Sequence, residues 1–235
     1  MLVLALDTAT DAVVAGVYRV PDQPARSGRD GRGLPPTTGE RLGHAQHLGA
    51  NAQGEQLAVM VDRAMSEAGV TPRDLDVVGV GRGPGPFTGL RVGLAFAETL
   101  GWVLDRPVHG VCTLDVIAAA ARADAPVELI VATDARRREV YWAHYDADGT
   151  RLAGPTVSSP GDVPGAAELP VVGSGTVRHP DAFPHALPLR HPDAGILAEL
   201  VAAQIRVGAA PDVTPLYLRR PDAVAGAHRK PVTPR

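Results

Sequence analysis

Apolar residues along this chain occur either in short unbroken runs or in longer runs with helical spacing. Short aliphatic runs, typical of buried strands, lie at residues 1–6, 12–20, 75–80, 107–111, 127–133, 140–145, 151–157 and 170–172. Stripes with helical spacing lie at residues 57–68, 87–104, 114–122 and 193–205. Strands that alternate with helices in this way predict an α/β architecture.

The chain after residue 127 repeats the order of elements found at its start. Asp7 and Asp134 each end a predicted strand, and each is followed by a turn and a second strand. Tyr18 and Tyr145 lie at the same offset from these aspartates. The repeat predicts a duplicated α/β fold of the RNase-H-like, actin-like kind in two lobes. The predicted division is an N-terminal lobe at 1–111, a C-terminal lobe at 112–210 and an extended tail at 211–235.

Residues 21–43 interrupt the first lobe. They are rich in proline, glycine and arginine and almost free of apolar residues, a composition that predicts a long mobile loop. His44 and His47 follow it, near a predicted helix start. Two histidines without a nearby cysteine or carboxylate at ligand spacing do not indicate a metal site.

Residues 81–93 read Gly-Arg-Gly-Pro-Gly-Pro-Phe-Thr-Gly-Leu-Arg-Val-Gly and link a predicted strand to a predicted helix. We call this stretch the signature turn. Its glycines allow a tight turn and a close approach by another backbone or a ligand. Pro86 suits the first helical position, with Gly85 as N-cap.

The helix after the signature turn has a face of small residues, since Gly89, Gly93, Ala97 and Gly101 recur every four positions. Each glycine costs roughly 0.5–1 kcal/mol relative to alanine in a helix interior, so the three cost about 2–3 kcal/mol together. A closely packed second helix would offset this cost. That helix belongs either to the same chain or to a partner protein, and the pattern does not decide between them.

Composition and charge narrow the class of protein. A net charge of −3 argues against nucleic-acid binding through bulk charge. The single cysteine, Cys112, excludes an internal disulfide and suits a reducing compartment. No apolar run approaches 18 residues, and no basic region precedes an apolar stretch at the start. We therefore expect a soluble, cytoplasmic protein with no membrane partner.

The signature turn resembles the GxGPGSFTGLRxG motif of the bacterial TsaB (YeaZ-like) family, which is related to the TsaD "glycoprotease" proteins. Three further stretches agree with that family in order, at residues 4–10, 132–142 and 215–219. The resemblance covers nearly the whole chain. Pro86 departs from it, because the family usually has serine there, and the missing hydroxyl argues against phosphate binding by this turn. The resemblance implies the same duplicated actin-like (ASKHA) fold.

In this fold class, paired strand-end aspartates such as Asp7 and Asp134 can hold a metal-bound water beside ATP. The alternative is that each carboxylate caps its own turn. Neither following loop contains the glycines that a phosphate-binding backbone needs. We therefore expect no catalytic residue and no metal, and at most a vestigial nucleotide site. The residues of that site would be Asp7, Thr8, Asp134, Gly173 and Gly175.

The resemblance implies a non-catalytic scaffold and activator subunit for N6-threonylcarbamoyladenosine synthesis at position 37 of tRNA. Its partner would be the TsaD transferase, with TsaE joining through the TsaB–TsaD assembly and tRNA bound only by the complex. A homodimer would form when the chain is alone. The resemblance also implies no cofactor of its own, with ATP, magnesium and the metal belonging to partner subunits.

In the family, the contact with TsaD uses the first two long helices as a helical bundle. Carried over to this chain, the interface residues are Leu57, Met60, Val61, Ala64, Gly89, Gly93, Ala97 and Gly101. On this hypothesis Gly93→Leu removes TsaD binding and leaves the monomer folded.

Two rival functions stay open. The first is an actin-like ATPase or kinase, or a metallopeptidase as the glycoprotease name suggests, that uses Asp7 and Asp134. The second is direct contact with RNA. That contact would use either the tail cations, which are Arg219, Arg220, Arg229 and Lys230, or the run at Arg136, Arg137 and Arg138. An ion-paired or solvated edge is the other interpretation of the run.

Overall fold

The computed structural model describes residues 1–22, 39–49, 52–124, 126–189 and 191–219. The strands in these ranges are β1 (Leu2–Asp7), β2 (Ala12–Arg19), β3 (Glu40–Leu48), β4 (Val77–Gly81), β5 (Val108–Val111), β6 (Leu129–Asp134), β7 (Val140–Tyr145), β8 (Arg151–Ser158) and β9 (Val171–Val172). The α-helices are α1 (Gln53–Ala68), α2 (Phe87–Leu104), α3 (Thr113–Asp124), α4 (Gly175–Arg178) and α5 (Ala194–Arg206). Among the described residues, no helix is both long enough and apolar enough to cross a membrane.

The strands form two sheets with matching topology. The first has the order β3-β2-β1-β4-β5 and the second has the order β8-β7-β6-β9. In each sheet the first three strands of the repeat are antiparallel neighbours, and the fourth runs parallel to the first. The predicted duplicated RNase-H-like, actin-like fold is therefore confirmed.

The second half is a reduced copy of the first. In the first half the 16-residue α1 lies between β3 and β4, and the 18-residue α2 follows β4. The corresponding places in the second half hold a three-residue 3-10 turn (Pro160–Asp162) and the four-residue α4. Both long helices thus belong to the first repeat.

The strand register corrects one detail of the predicted repeat. Tyr18 pairs with Val3, whose equivalent in the second repeat is Ile130, and Ile130 pairs with His144. Tyr18 therefore corresponds to His144, and the match between Tyr18 and Tyr145 is a coincidence of spacing. The turn after Asp134 is one residue shorter than the turn after Asp7, which shifts the alignment.

The predicted loop at residues 21–43 is wrong at its end, and its central residues 23–38 lie outside the described ranges. Strand β3 begins at Glu40 and pairs with β2 along its length. His44 and His47 lie on this strand and not at a helix start. The sequence of this edge strand shows little apolar alternation. Gly43 lies in the strand because the Ala64 carbonyl would overlap any Cβ there.

Helix α5 does not follow the predicted domain division. Its buried residues Ala194, Leu197 and Val201 pack against Val3 and Val77 of the first sheet. Since α5 falls within the predicted C-terminal lobe at 112–210, the lobes are interleaved in sequence. Helix α3 joins them, because its residues contribute to the core of the second sheet and also to the cluster around α5.

The small-residue face of α2 packs against other parts of the same chain. Gly89 and Gly93 lie against Thr8 in the β1–β2 turn, Gly89 also lies against Gln53 at the start of α1, and Gly101 lies against Val108 of β5. The Thr8 hydroxyl donates to the Gly89 carbonyl (2.7 Å) and accepts from the Gly93 amide (3.0 Å). An α-helix normally pairs these two backbone groups with each other. A Cβ at Gly93 would overlap the Thr8 hydroxyl, and one at Gly101 would overlap Val108. Close approach within the chain therefore explains the glycines.

All eight predicted interface residues face the interior of the chain. The side chains of Leu57, Met60, Val61 and Ala64 are at most 5% exposed. The four small residues of α2, from Gly89 to Gly101, are also buried. A partner that docks on these helices would meet their outer faces. We expect Gly93→Leu to destabilise the fold, contrary to the hypothesis from the sequence, because even a Cβ at Gly93 would overlap the Thr8 hydroxyl.

We expect Gly93→Ala to lower the free energy of unfolding by about 1–3 kcal/mol, because the new methyl group overpacks the Thr8 hydroxyl. This loss exceeds the helix-propensity gain of roughly 0.5–1 kcal/mol. Gly54→Ala on α1 is the matched control, since no atom lies within 4 Å of its added Cβ. Urea unfolding followed by circular dichroism measures the free energy of unfolding of both variants. Equal stability of the two variants would contradict the close contact at Thr8.

Candidate functional site

Asp7 ends β1 at the position where this fold class places its first nucleotide-site carboxylate. Its side chain is completely buried. One oxygen accepts the Ala9 amide (2.7 Å), and the other accepts the Thr113 hydroxyl (2.7 Å). Burial raises its pKa from 3.8 to about 6, against the lowering effect of these two hydrogen bonds. The carboxylate thus joins the β1–β2 turn to the start of α3.

The signature turn covers the β1–β2 turn from outside. Residues 7–10 are at most 4% exposed. A Cβ at Gly85 would overlap the Ala9 carbonyl. The Gln53 amide nitrogen donates to the Thr10 carbonyl (2.9 Å) from the start of α1. The backbone that would cradle a phosphate in an ATPase is therefore enclosed by the chain itself.

Asp134 ends β6, as Asp7 ends β1, and its carboxylate is engaged locally. It accepts the Arg136 amide (2.9 Å), which closes the β6–β7 turn. The guanidinium groups of Arg136 and Arg178 lie 3.5 and 3.9 Å from its other oxygen. The turn-capping interpretation from the sequence therefore describes both aspartates. The neighbouring arginines also make Asp134 unsuited to magnesium.

Gly173 and Gly175 allow their backbone to pack closely against β6. A Cβ at either position would crowd the Ala132 carbonyl on β6, and Gly173 has a φ of +114°. The space between Asp134, Ser174, Thr10 and Pro86 is a cavity of about 10 Å³. That is room for about one water molecule. The structure thus brings the second-repeat residues Asp134, Gly173 and Gly175 together without a nucleotide-sized space, and it buries Asp7 and Thr8.

A larger pocket of about 340 Å³ lies nearby. Three segments form it, namely the end of the signature turn, the β6–β7 turn and the C-terminal stretch around Tyr217. Arg91 bridges two of these segments, because its guanidinium carbon lies 3.7 Å from the Phe87 ring centre and its Nε donates to the Tyr217 hydroxyl (2.9 Å). The tail is therefore anchored beside the signature turn.

The β6–β7 turn has an unusual backbone. Arg136, Arg137 and Arg138 have φ values of 61°, 55° and 61°, the left-handed region. This conformation costs about 1–2 kcal/mol for each residue other than glycine. Arg219 holds the turn closed, since it donates to the Ala135 carbonyl (2.8 Å) and pairs with Glu139.

Sequence reasoning missed several of these contacts. Gln53, Thr113 and Arg219 each hold one of the two turns, and nothing in their local sequence indicates the partner. Each partner lies more than 40 residues away along the chain. The structure also shows no cluster of three or more potential metal ligands among its described residues.

Comparisons with known proteins agree with one another. The model of the family described as TsaD, tRNA N6-adenosine threonylcarbamoyltransferase, matches residues 47–179. An uncharacterized protein of Mycobacterium tuberculosis is 43% identical over 221 residues, which cover 94% of this chain and 93% of that protein. The tRNA threonylcarbamoyladenosine biosynthesis protein TsaB of Escherichia coli is 31% identical over 149 residues, covering 63% and 56% of the two chains.

A solved structure shows the same likeness in three dimensions. A Pseudomonas aeruginosa protein described as similar to peptidase YEAZ gives a TM-score of 0.72 at 27% identity, covering 93% of this chain and 99% of that one. Fold and site define a duplicated actin-like protein whose first strand-end aspartate is sealed inside the chain. The chain belongs to the TsaB (YeaZ-like) proteins of the wider TsaD family.

We expect the stability of the chain to depend on the charge of Asp7. Its pKa of about 6 in the folded chain lies above its ordinary 3.8, so the folded state binds the proton more tightly. The free energy of unfolding should therefore fall as the pH rises from about 4 to about 6, by up to about 3 kcal/mol.

Asp7→Asn should remove that fall and be more stable than the native chain above about pH 6. The Asn amide can accept from Ala9 and donate to the Thr113 oxygen, so both contacts survive. Urea unfolding over this pH range measures the effect. If Asp7→Asn shows the same decline as the native chain, the buried carboxylate is not its source.

Proposed function

We propose that this chain is a non-catalytic scaffold and activator subunit in tRNA N6-threonylcarbamoyladenosine biosynthesis, and that it binds a TsaD transferase. The Escherichia coli relative carries the name of that pathway. The non-catalytic part of the proposal rests on one observation, which is the burial of Asp7 and of the three residues after it, all at most 4% exposed. An ATPase needs that turn open toward the nucleotide.

The rival function, an ATPase, kinase or metallopeptidase that uses Asp7 and Asp134, finds less support. Residues 7–10 of the first turn are at most 4% exposed, so this part of the turn is closed to a phosphate. The cavity beside Asp134 holds about one water, and two arginines pair with its carboxylate. Tight binding of ATP or a divalent cation by the isolated chain, weakened in Asp7→Ala and Asp134→Ala, would favour the rival.

The proposal assigns the chemistry to other subunits. ATP, magnesium and the catalytic metal belong to the partners, TsaE joins through the TsaB–TsaD assembly, and tRNA binds only to the complex. When TsaD is absent, the same surface pairs two copies of this chain.

For TsaD binding we propose the outer faces of α1 and α2. The two helices lie side by side, with Gln53 at the start of α1 beside Gly89 at the start of α2. Large apolar side chains are exposed on them, with Val59 at 41%, Trp102 at 84% and Val103 at 65%. Small exposed residues such as Ala95 permit close approach by partner helices. This surface lies opposite the buried stripes that the sequence pattern indicated.

Trp102→Glu should weaken binding to the cognate TsaD by at least about tenfold, because exposed aromatic residues dominate protein interfaces. Val207→Glu is the matched control, since Val207 is 81% exposed and lies beyond the end of α5, on another element. Size exclusion with light scattering and titration calorimetry measure complex formation.

If the two variants bind TsaD with equal affinity, the interface does not include this end of α2. A native chain that forms no complex with TsaD would overturn the proposed function itself.

A further inference from the structure

The 340 Å³ pocket beside the signature turn has no part in the scaffold role described above. Its volume is within the range of small-ligand sites, and its walls combine charge with flat rings. Arg136, Arg137 and Arg219 line it together with Phe87 and Tyr217. The pocket thus carries chemistry that a scaffold does not require.

Positive charge exceeds negative charge around the pocket. The carboxylates of the β6–β7 turn region are Asp134 and Glu139, and each already pairs with an arginine. The arginines on or beside the pocket are Arg91, Arg136, Arg137, Arg138 and Arg219. This local excess of positive charge contrasts with the net charge of −3 for the whole chain. It favours an anionic ligand.

The aromatic side chains of the pocket indicate which kind of anion it binds. The Phe87 and Tyr217 ring centres lie 5.1 Å apart at 34°, and the two residues are 37% and 39% exposed. Tyr141 is buried behind them. Exposed rings beside guanidinium groups are the combination that holds unpaired bases and their phosphates. An acidic peptide would use the arginines alone.

The backbone of the turn supports a ligand role. Three consecutive arginines keep left-handed φ values, where glycine would be free of strain. Strained residues of this kind cluster at ligand sites, because the strain fixes side chains in a required position. Arg219 and Glu139 hold the turn in that shape.

We propose that this pocket binds one unpaired nucleotide of an RNA strand. Arg136 and Arg137 contact its phosphate, and Phe87 and Tyr217 contact its base. The inference rests on the proposed function, in which the substrate of the assembly is tRNA, whose loops present unpaired bases.

Arg137→Gly tests the phosphate contact without loss of the fold, since glycine accepts the left-handed φ of 55°. Arg138→Gly is the matched control, because it loses the same charge and relieves the same strain but does not line the pocket. The probe is a fluorescently labelled RNA hairpin with an adenosine-containing loop, bound to the complex with cognate TsaD and followed by anisotropy at several salt concentrations.

We expect Arg137→Gly to weaken RNA binding by about tenfold and to reduce the salt slope by about 1, the effect of losing one phosphate contact. Arg138→Gly should change the affinity by less than about twofold. Tyr217→Leu should weaken binding by about fivefold or more without a change in the salt slope, because it removes stacking and no charge.

Equal RNA affinity of the Arg137→Gly and Arg138→Gly complexes overturns the inference. It is also overturned if Arg137→Gly weakens binding of free AMP but not of the hairpin, which would assign the pocket to a free nucleotide. Light scattering reports complex formation separately, so that a failure to bind TsaD contradicts the proposed function alone. In that case the same variants are compared on the isolated chain.

Discussion

The Thr8 hydroxyl on the glycine face of α2 is the contact on which the first lobe depends. It donates to the Gly89 carbonyl and accepts from the Gly93 amide, two groups that an α-helix normally pairs with each other. That position is possible only where no Cβ stands in the way. Next to this contact, Gly85 of the signature turn lies against the Ala9 carbonyl, and Asp7 is completely buried. Two of the three glycines in α2, Gly89 and Gly93, are therefore explained by the buried β1–β2 turn, and Gly101 is explained by Val108.

This enclosure is the structural feature on which the proposed non-catalytic role rests. A nucleotide-binding member of the fold class uses strand-end loops as open phosphate cradles. Here the first loop is sealed by its own chain, and the second is closed by arginines that pair with Asp134. Since the second repeat also lacks counterparts of the two long helices among its described residues, the first lobe holds the larger helical surface. A protein built in this way is suited to binding a partner.

Several predictions from residue patterns held because they rest on short-range physics. The stripe at 57–68 lies in α1, which Gly69 ends in the left-handed conformation, and the stripe at 193–205 lies in α5, which Asp193 caps through the Ile196 amide. Periodicity placed α2 at its observed bounds. Strand β3 was missed because an edge strand carries little apolar alternation. The apolar stripe of α1 is predicted to contact a partner protein. Such a stripe shows only that its residues are buried, and it does not show which segment covers them.

The sequence by itself determined most of the elements, the repeat and the family, because periodicity, turn chemistry and the signature turn are local properties. Only the tertiary structure decided which helix faces are covered, since burial depends on segments far apart in the chain. It showed that Thr8, Gln53 and Val108 of the same chain pack against the glycine face of α2. It also brought Arg137, Phe87 and Tyr217 around one pocket, although they are separated by 50 residues or more. Contacts of that range leave no pattern in the local sequence.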